Sequence, residues 1–263
     1  MMSAVQMGGA WMAAMSLTLP RVVGAFLMLP LLTQETMPAM VRNSFLVSLA
    51  FVAVPITLAA TPATPITGIQ APVLILKELF LGMSIGFCFG MIFWAMGAAG
   101  NVLDTQVGMS MAQTMDPIQG HQASLHGVFL SQLANWLFMA SGAFLIFLDL
   151  LLTSYALWPV TSFFPDLNPS GMGLFIGHFS YLMTALLVLV APAMVLLLII
   201  DMSFGLMNRF APQLNVFALT MPIKGWLASA MILLLIGVYV EIIFDRLFVN
   251  KGLLRALNAI FAP

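Results

Sequence analysis

The chain has 263 residues, of which 62% are hydrophobic and only 6% are charged, a balance that excludes a soluble globular protein and predicts a membrane protein. No stretch of about 50 residues has the polar mixture of a water-facing domain, so we expect a single membrane-embedded domain over residues 1–263. The net charge is −1 and no basic run occurs, which excludes a nucleic-acid partner.

Long apolar runs predict an all-α membrane protein, because a helix needs about 20 apolar residues to cross a bilayer. We expect about six helices, several of them broken by Pro or Gly. They are predicted at Ala4–Leu32, Phe45–Ala60, Pro72–Ala99, His126–Leu152, Phe175–Met207 and Pro222–Phe248. Pro20 with Arg21 is expected to break the first helix, and Pro192 the fifth.

Three glycines recur every four residues in the third predicted helix, at Gly82, Gly86 and Gly90. This spacing puts them on one helix face, where the missing side chains let another helix approach closely. The pattern predicts helix packing, either against another subunit of a large oligomer or within this chain.

The stretch DTQVGMSMAQTMDP, residues 104–117, follows that helix and is expected to be a loop. It holds two carboxylates and several methionines but no basic residue. Methionine is unbranched and adapts to irregular surfaces, so the stretch predicts a deformable surface instead of ordinary core packing. Asp104 and Asp116 are interpreted as helix-end or turn residues.

Acidic residues within the later apolar runs allow two interpretations. Asp149, Asp201 and Glu241 could line a proton or ion path, which would suit a secondary transporter or an ion channel. They could equally lie at helix ends, where a carboxylate reaches water or a partner. Asp201, Gly205 and Asn208 fall on one helix face at positions i, i+4 and i+7.

Catalytic, metal and cofactor patterns are missing from the sequence. The histidines His121, His126 and His178 have no metal-ligand spacing and are expected in solvated loops or interfaces. No glycine-rich phosphate loop occurs, and Asp104 and Asp116 are not placed to work as an aspartyl pair. We therefore expect no enzyme, no metal and no cofactor.

Two blocks of the sequence resemble a known family. GNVLDTQVGMSMAQTMDP, residues 100–117, is similar to a G-x-x-x-D-x-Q-x-G segment followed by Asp-Pro, and DMSFGLMNRFAPQLNVFALTMPIK, residues 201–224, is similar to a longer and more specific signature. Both belong to the integral export-gate subunit of type III secretion systems, called FliR in flagella and SctT, SpaR or YscT in injectisomes. SQLANWLF, the Ser154-Tyr155 pair and the Trp158-Pro159 pair resemble the injectisome members more than the flagellar ones.

The resemblance implies a structural subunit of a protein-conducting channel in the bacterial inner membrane, within the secretion-system base. It implies a multi-pass chain packed in a helical hetero-oligomer with a larger helical subunit and a small two-helix subunit, and also with the autocleaving switch subunit. Residues 175–263 resemble that small subunit. The cargo would be unfolded secreted proteins. A membrane scaffold without a pore is the third alternative, beside the channel subunit and the transporter.

The resemblance also implies roles for particular residues. A plug that keeps the resting channel closed is expected at Gln106, Met109, Met111, Met115, Asp116 and Pro117. Contacts with other subunits are expected at Asp201, Gly205, Arg209, Gln213, Asn215 and Lys224.

Overall fold

The computed structural model describes residues 4–32, 37–60, 70–108, 124–160, 170–213 and 216–249. These ranges contain seven α-helices and no strand, which confirms the all-α prediction. The helices are α1 (Ala4–Leu27), α2 (Ala39–Ala60), α3 (Gln70–Val107), α4 (Leu125–Ala140), α5 (Ala143–Leu157), α6 (Ser170–Phe210) and α7 (Val216–Val249).

Four helices of the described chain, α2, α3, α6 and α7, are long and apolar enough to cross a membrane. The pair α4 and α5 makes a fifth candidate if the two are counted as one broken span. In α1 the apolar part is shorter, Trp11–Leu27. The helices predicted from hydropathy therefore exist, although their lengths differ from the expected ones.

Three of the boundaries that differ from the predictions change the connections between helices. α3 continues to Val107, so the first residues of the stretch 104–117 are helical and not part of a loop. The predicted helix 126–152 is two helices, because Gly142 has a φ of +74°, a left-handed conformation that ends the regular helix. α6 reaches Phe210, which leaves only a short connection to α7 where a longer loop was expected.

The expected breaks at proline are also absent from the two helices concerned. Pro20 lies inside α1 and Pro192 lies inside α6, and both helices continue past them. A proline removes one backbone donor from a helix, and in a membrane helix neighbouring groups can compensate for that loss.

The chain divides into two compact units. Unit 1 comprises the described residues of 1–91, 141–178 and 247–263, and thus holds α1, α2, the first part of α3 and α5. Its core includes Tyr155 and Leu74, and Phe147 contacts Phe26 and Phe89 edge to face, with ring centroids 5.3 Å apart in both pairs. Aromatic and aliphatic packing therefore holds its helices together.

Unit 2 comprises residues 92–140 and 179–246 and holds the rest of α3, α4, and most of α6 and α7. Phe93 and Phe138 join α3 to α4, with ring centroids 5.3 Å apart. The Tyr239 hydroxyl donates a hydrogen bond to the carbonyl oxygen of Leu189 over 3.0 Å and joins α7 to α6. The described residues of the second sequence block all fall within this unit. The prediction that residues 1–263 form a single domain stays a prediction.

Candidate functional site

The ends of three helices of unit 2 surround a cavity of about 390 Å³. The C-terminal turn of α3 contributes one wall, and the facing parts of α6 and α7 contribute the others. The lining residues are Thr105, Gln106, Val107, Gly108, Asp201, Phe204, Gly205, Asn208, Val216, Thr220, Met221 and Lys224. The cavity thus brings together residues from both sequence blocks.

An ion pair forms part of this lining. Lys224 of α7, only 8% exposed, pairs with Asp201 of α6. Its ammonium group also donates a hydrogen bond to the carbonyl oxygen of Gln106 over 3.2 Å, and the Gln106 amide donates to Asp201 Oδ2 over 3.2 Å. Three helices are therefore joined by three side chains, and the charge of Asp201 is neutralised within the chain.

Gly108 ends α3 beside the cavity. Its φ of +92° lies in the left-handed region, which glycine adopts without strain, and its N–H reaches the carbonyl oxygens of Asp104 and Thr105 at 3.2 and 3.1 Å. A Cβ on this residue would lie 3.0 Å from the methyl carbon of Met221. The position where the chain leaves α3 is therefore fixed by backbone conformation and by contact with α7.

Asp104 connects the end of α3 to the start of α4. Its side chain is buried, and Oδ2 accepts hydrogen bonds from the Ser124 hydroxyl at 2.5 Å and from the backbone N–H of His126 at 3.0 Å. Ser124 Oγ in turn accepts from the Gly127 N–H at 2.9 Å, as a helix N-cap does. A carboxylate at this place also stabilises the positive end of the helix dipole.

His126 extends this connection to α7. Its Nδ1 is hydrogen-bonded to Asp104 Oδ1, and its Nε2 lies 3.0 Å from the hydroxyl oxygen of Ser229. The residue is only 6% exposed, so the prediction of a solvated or interface histidine was wrong for it. The imidazole ring is thus buried at the start of α4, and each of its two nitrogens has a polar partner.

The structure brings half of the predicted interface residues together. Asp201, Gly205 and Lys224 line the cavity. Arg209 and Gln213 are exposed at and just after the end of α6, and Asn215 lies outside the described residues.

Of the predicted plug residues, only Gln106 is described, and it belongs to α3. The others, Met109, Met111, Met115, Asp116 and Pro117, lie outside the described residues.

The glycines of α3 approach α1 within this chain. A Cβ at Gly82 would lie 2.0 Å from the carbonyl oxygen of Arg21, and one at Gly86 would lie 2.2 Å from that of Ala25. Gly90 is buried. The glycine spacing predicted packing either against another subunit or within the chain. For Gly82 and Gly86 the packing is within the chain.

A second buried charge cluster lies in unit 1, and the sequence reasoning missed it. Arg21 Nε and Nη2 donate to the two carboxylate oxygens of Glu78 at 2.5 and 2.9 Å, and both side chains are fully buried. Arg21 Nη1 reaches Ser154 Oγ at 3.0 Å, and Nη2 also reaches the carbonyl oxygen of Trp158 at 2.9 Å. An arginine inside an apolar run was the available signal, since such a residue needs a partner.

Lys77 completes that cluster at the C-terminal end of α5. Its ammonium group contacts Glu78 Oε1 at 2.9 Å and donates to the carbonyl oxygens of Pro159 and Val160 at 3.2 and 2.8 Å. The Arg21 guanidinium also lies 4.2 Å from the ring centroid of Tyr155. Two cations thus hold three successive carbonyl groups after α5.

Two other acidic residues of the predicted ion path, Asp149 and Glu241, do not extend either cluster. Asp149 is exposed on α5, and Glu241 is exposed on α7. Within the described ranges no three His, Cys, Asp or Glu side chains are grouped to hold a metal ion. The buried charges therefore work as pairs and helix-end contacts, an arrangement suited to holding helices and not to bond-making chemistry.

Residues 12–249 match the family described as bacterial export proteins, family 1. The chain is 36% identical over 220 residues to "Yop proteins translocation protein T" of Yersinia pestis, covering 83% of this chain and 84% of that protein. It is 29% identical over 223 residues to "Surface presentation of antigens protein SpaR" of Salmonella typhimurium, covering 84% and 82%. It is 27% identical over 241 residues to "Flagellar biosynthetic protein FliR" of Bacillus subtilis, covering 91% and 92%.

Proposed function

The chain belongs to the bacterial export proteins, family 1, and on that premise we propose that it helps to form the protein-conducting channel of a type III secretion export gate and seals that channel at rest. Membership of the export apparatus carries the first half of the proposal. The connection made by Asp104 carries the second half.

The predicted family and type are confirmed. The chain is an export-apparatus subunit of the type III secretion family. Its identity to the Yersinia protein, 36%, is higher than its identity to the flagellar protein, 27%, so the injectisome type fits better than the flagellar type. It is a multi-pass inner-membrane protein of the secretion-system base and not an enzyme.

The observation that supports sealing is that the helix ends on the two sides of residues 109–123 are joined to each other. The chain leaves α3 at Gly108 and enters α4 at Ser124, and Asp104 bonds across from the first end to Ser124 and His126. The two helix ends that flank the segment are thus held together by one side chain, as the base of a plug requires.

The composition of the segment supports the same role. A channel for unfolded chains must block ions at rest and yet open without a chemical step. Met109, Met111 and Met115 offer adaptable apolar contacts that separate without breaking strong bonds. Neighbouring glutamines can bond either to one another or to water. We therefore keep Met109, Met111, Met115, Asp116 and Pro117 as plug residues, with Gln106 at the base.

Deletion of residues 109–115 tests the sealing proposal. The export gate should assemble, and the inner membrane should become permeable to small ions and metabolites. A variant in which the same seven positions carry a Gly-Ser sequence keeps the segment length and separates lost methionine contacts from a shortened chain. Normal assembly with unchanged permeability in both variants would contradict sealing.

As partners we propose the larger helical subunit, the small two-helix subunit and the autocleaving switch subunit, with unfolded secreted proteins as cargo. The second sequence block supports an interface on α6 and α7, since Arg209 and Gln213 are exposed and apolar side chains cover the outer faces of both helices. Those large exposed side chains include Leu198, Ile199, Met202, Leu206, Leu219, Ile223, Trp226, Leu233 and Leu234.

Assembly measured by native mass spectrometry tests this interface. Replacing Gln213 or Lys224 by Ala should lower the fraction of complete gate complexes in gentle detergent extracts. A stable, transport-active isolated chain would favour the transporter alternative instead. The structure gives that alternative little support, because Lys224 neutralises Asp201 and both Asp149 and Glu241 are exposed.

A further inference from the structure

We infer that His126 is doubly protonated and positively charged in the folded chain, and that its second ring proton joins α4 to α7. The proton is held by three side chains of unit 2, those of Asp104, His126 and Ser229. Its presence is independent of what residues 109–123 do, and it adds a proton-binding site to the channel function proposed above.

The hydroxyl of Ser229 decides the direction of its hydrogen bond with the imidazole ring. A serine hydroxyl has one hydrogen to donate and lone pairs with which to accept. Here it donates to the carbonyl oxygen of Gly225, one turn earlier on α7, over 2.9 Å. The same hydroxyl oxygen lies 3.0 Å from His126 Nε2. Because the hydroxyl hydrogen is already in use, Nε2 supplies the hydrogen of the second bond and therefore carries a proton.

The other ring nitrogen is a donor as well. Nδ1 of His126 is hydrogen-bonded to Asp104 Oδ1. Asp104 Oδ2 accepts from the Ser124 hydroxyl at 2.5 Å and from the backbone N–H of His126 at 3.0 Å, so both carboxylate oxygens accept hydrogen bonds. An ionised carboxylate has no hydrogen to give, so Nδ1 must donate to it. A ring that donates from both nitrogens is an imidazolium.

The charge of this imidazolium is balanced by a neighbouring carboxylate. His126 is 6% exposed and Asp104 is 5% exposed, and a charge buried this deeply needs a partner of opposite sign. α3 presents the Asp104 carboxylate to the ring, α7 presents the neutral Ser229 hydroxyl, and the sequence of α4 contains no Asp, Glu, Lys or Arg. The charged groups that α6 and α7 contribute to the cavity, Asp201 and Lys224, are paired with each other. Asp104 is therefore the counter-ion.

The extra proton makes the connection between α4 and α7 dependent on pH. A histidine in an unfolded chain is mostly neutral above about pH 7. While the ring keeps its second proton, the folded chain binds one proton more than the unfolded chain, so its stability falls as the pH rises. Once the ring is neutral, Nε2 has no hydrogen to give. Ser229 then keeps its bond to the ring only by releasing the carbonyl oxygen of Gly225.

The first test measures the protonation of the ring by ¹⁵N NMR of the full-length chain in detergent micelles. In a variant with His121→Gln and His178→Gln, His126 is the histidine that remains, because the sequence contains three. At pH 7 both of its ring nitrogens should show a directly bonded proton. A bare Nε2 or a bare Nδ1 would overturn the inference. Asp104→Asn in this background should give a neutral ring, whereas Asp149→Asn, at an exposed position of α5, should not.

The second test measures the pH dependence of stability in the same full-length chain. Above pH 7 the equilibrium constant of unfolding should rise by up to about tenfold per pH unit in the parent protein relative to Asp104→Asn, because one bound proton is lost on unfolding. Ser229→Ala removes the acceptor of the Nε2 hydrogen and should lower that factor. Ser203→Ala is the matched control, since the Ser203 hydroxyl makes the same kind of bond, to Ile199 O at 2.8 Å on α6.

Two outcomes of the stability measurement would contradict the buried proton. Equal pH dependence in the parent protein and in Asp104→Asn would show that no extra proton is bound beside that carboxylate. Equal pH dependence in the parent protein and in Ser229→Ala would show that the proton does not join α4 to α7. Neither outcome involves ion permeability, so the sealing proposal is tested separately.

Discussion

α3 carries the same pair of residues in each unit, a buried carboxylate and a glycine one turn away. In unit 1 the pair is Glu78 and Gly82, and Gly82 lies against the backbone of α1. In unit 2 the pair is Gly100 and Asp104, and Gly100 lies against the backbone of α4. In both cases a close helix contact is placed beside a charge, so the position of the neighbouring helix and the position of the charge are set together.

The two carboxylates nevertheless work in opposite ways. Glu78 pairs with both Arg21 and Lys77, and these cations hold the carbonyl groups that follow α5, at the negative end of that helix. Asp104 instead accepts hydrogen bonds from an N–H and an O–H group at the positive end of α4. Each arrangement agrees with the helix dipole, so the buried charges in both units are explained by helix ends without invoking an ion path.

The largest expected effect comes from breaking the pair in unit 1. Glu78→Ala leaves a fully buried guanidinium without its carboxylate and should cost about 3–5 kcal/mol of stability. We expect little full-length protein in the membrane and a lower Tm in detergent extracts. Glu241→Ala removes an exposed carboxylate from α7 and should leave both unchanged. Normal levels of the Glu78→Ala protein would mean that Arg21 finds another partner.

Placing a methyl group at the close contacts should have the next largest effect. Gly82→Ala and Gly100→Ala bring Cβ to 2.0 Å and 2.3 Å from backbone atoms, so helices must separate at a cost of about 1–3 kcal/mol. Gly237→Ala meets nothing within 4 Å and serves as the control. Thermal unfolding of the three variants measures the difference, and equal Tm values would contradict the close packing in both units.

Removing the charge in unit 2 should cost less than breaking the pair in unit 1. Asp104→Asn keeps one acceptor oxygen for Ser124 and His126 but loses the charge at the start of α4, which should cost about 1–2 kcal/mol. Thermal unfolding gives this value. Asp149→Asn, an exposed Asp of α5, is the matched control. A loss as large as that of Glu78→Ala would show that the two sites do not differ as proposed.

The smallest effect is expected at Asp201, in the lining of the cavity. Asp201 has a side chain that is 38% exposed, so Asp201→Asn should cost only about 0–1 kcal/mol, because water screens its pairing with Lys224. Unfolding of the isolated chain checks this value, and Asp245→Asn at an exposed position is the control. A loss above that of Asp104→Asn would mean that the carboxylate is held more tightly than its exposure indicates.

Hydropathy predicted the helices well because membrane-crossing length is a local property of the sequence. It failed where local conformation decided the outcome. Gly142 divides one predicted helix into α4 and α5, and the apolar run on its two sides hides that turn. The hydropathy prediction also ended α3 too early. The polar residues from Asn101 to Gln106 remain helical through contacts with other helices.

The site was less predictable than the fold because its bonds join distant residues. Glu78 is 57 residues from Arg21, and no pattern in the sequence pairs them. His126 was expected in a solvated loop or an interface, although it begins a predicted helix and Ser124 before an apolar run was a signal for a helix start. Gln106 and Lys224 came from the two sequence blocks that resemble the family, and their contact required the tertiary structure.

The burial of Arg21 also governs how the chain can be made. The guanidinium leaves the ribosome 57 residues before Glu78 and 137 residues before Trp158, the two groups that hold it. At a synthesis rate of about 5–20 residues per second, Arg21 remains without the Glu78 carboxylate for roughly 3–11 seconds and without the Trp158 carbonyl for roughly 7–27 seconds. Because an unpaired arginine is costly in apolar surroundings, we expect α1 to reach its final packing only after α5 has been synthesised.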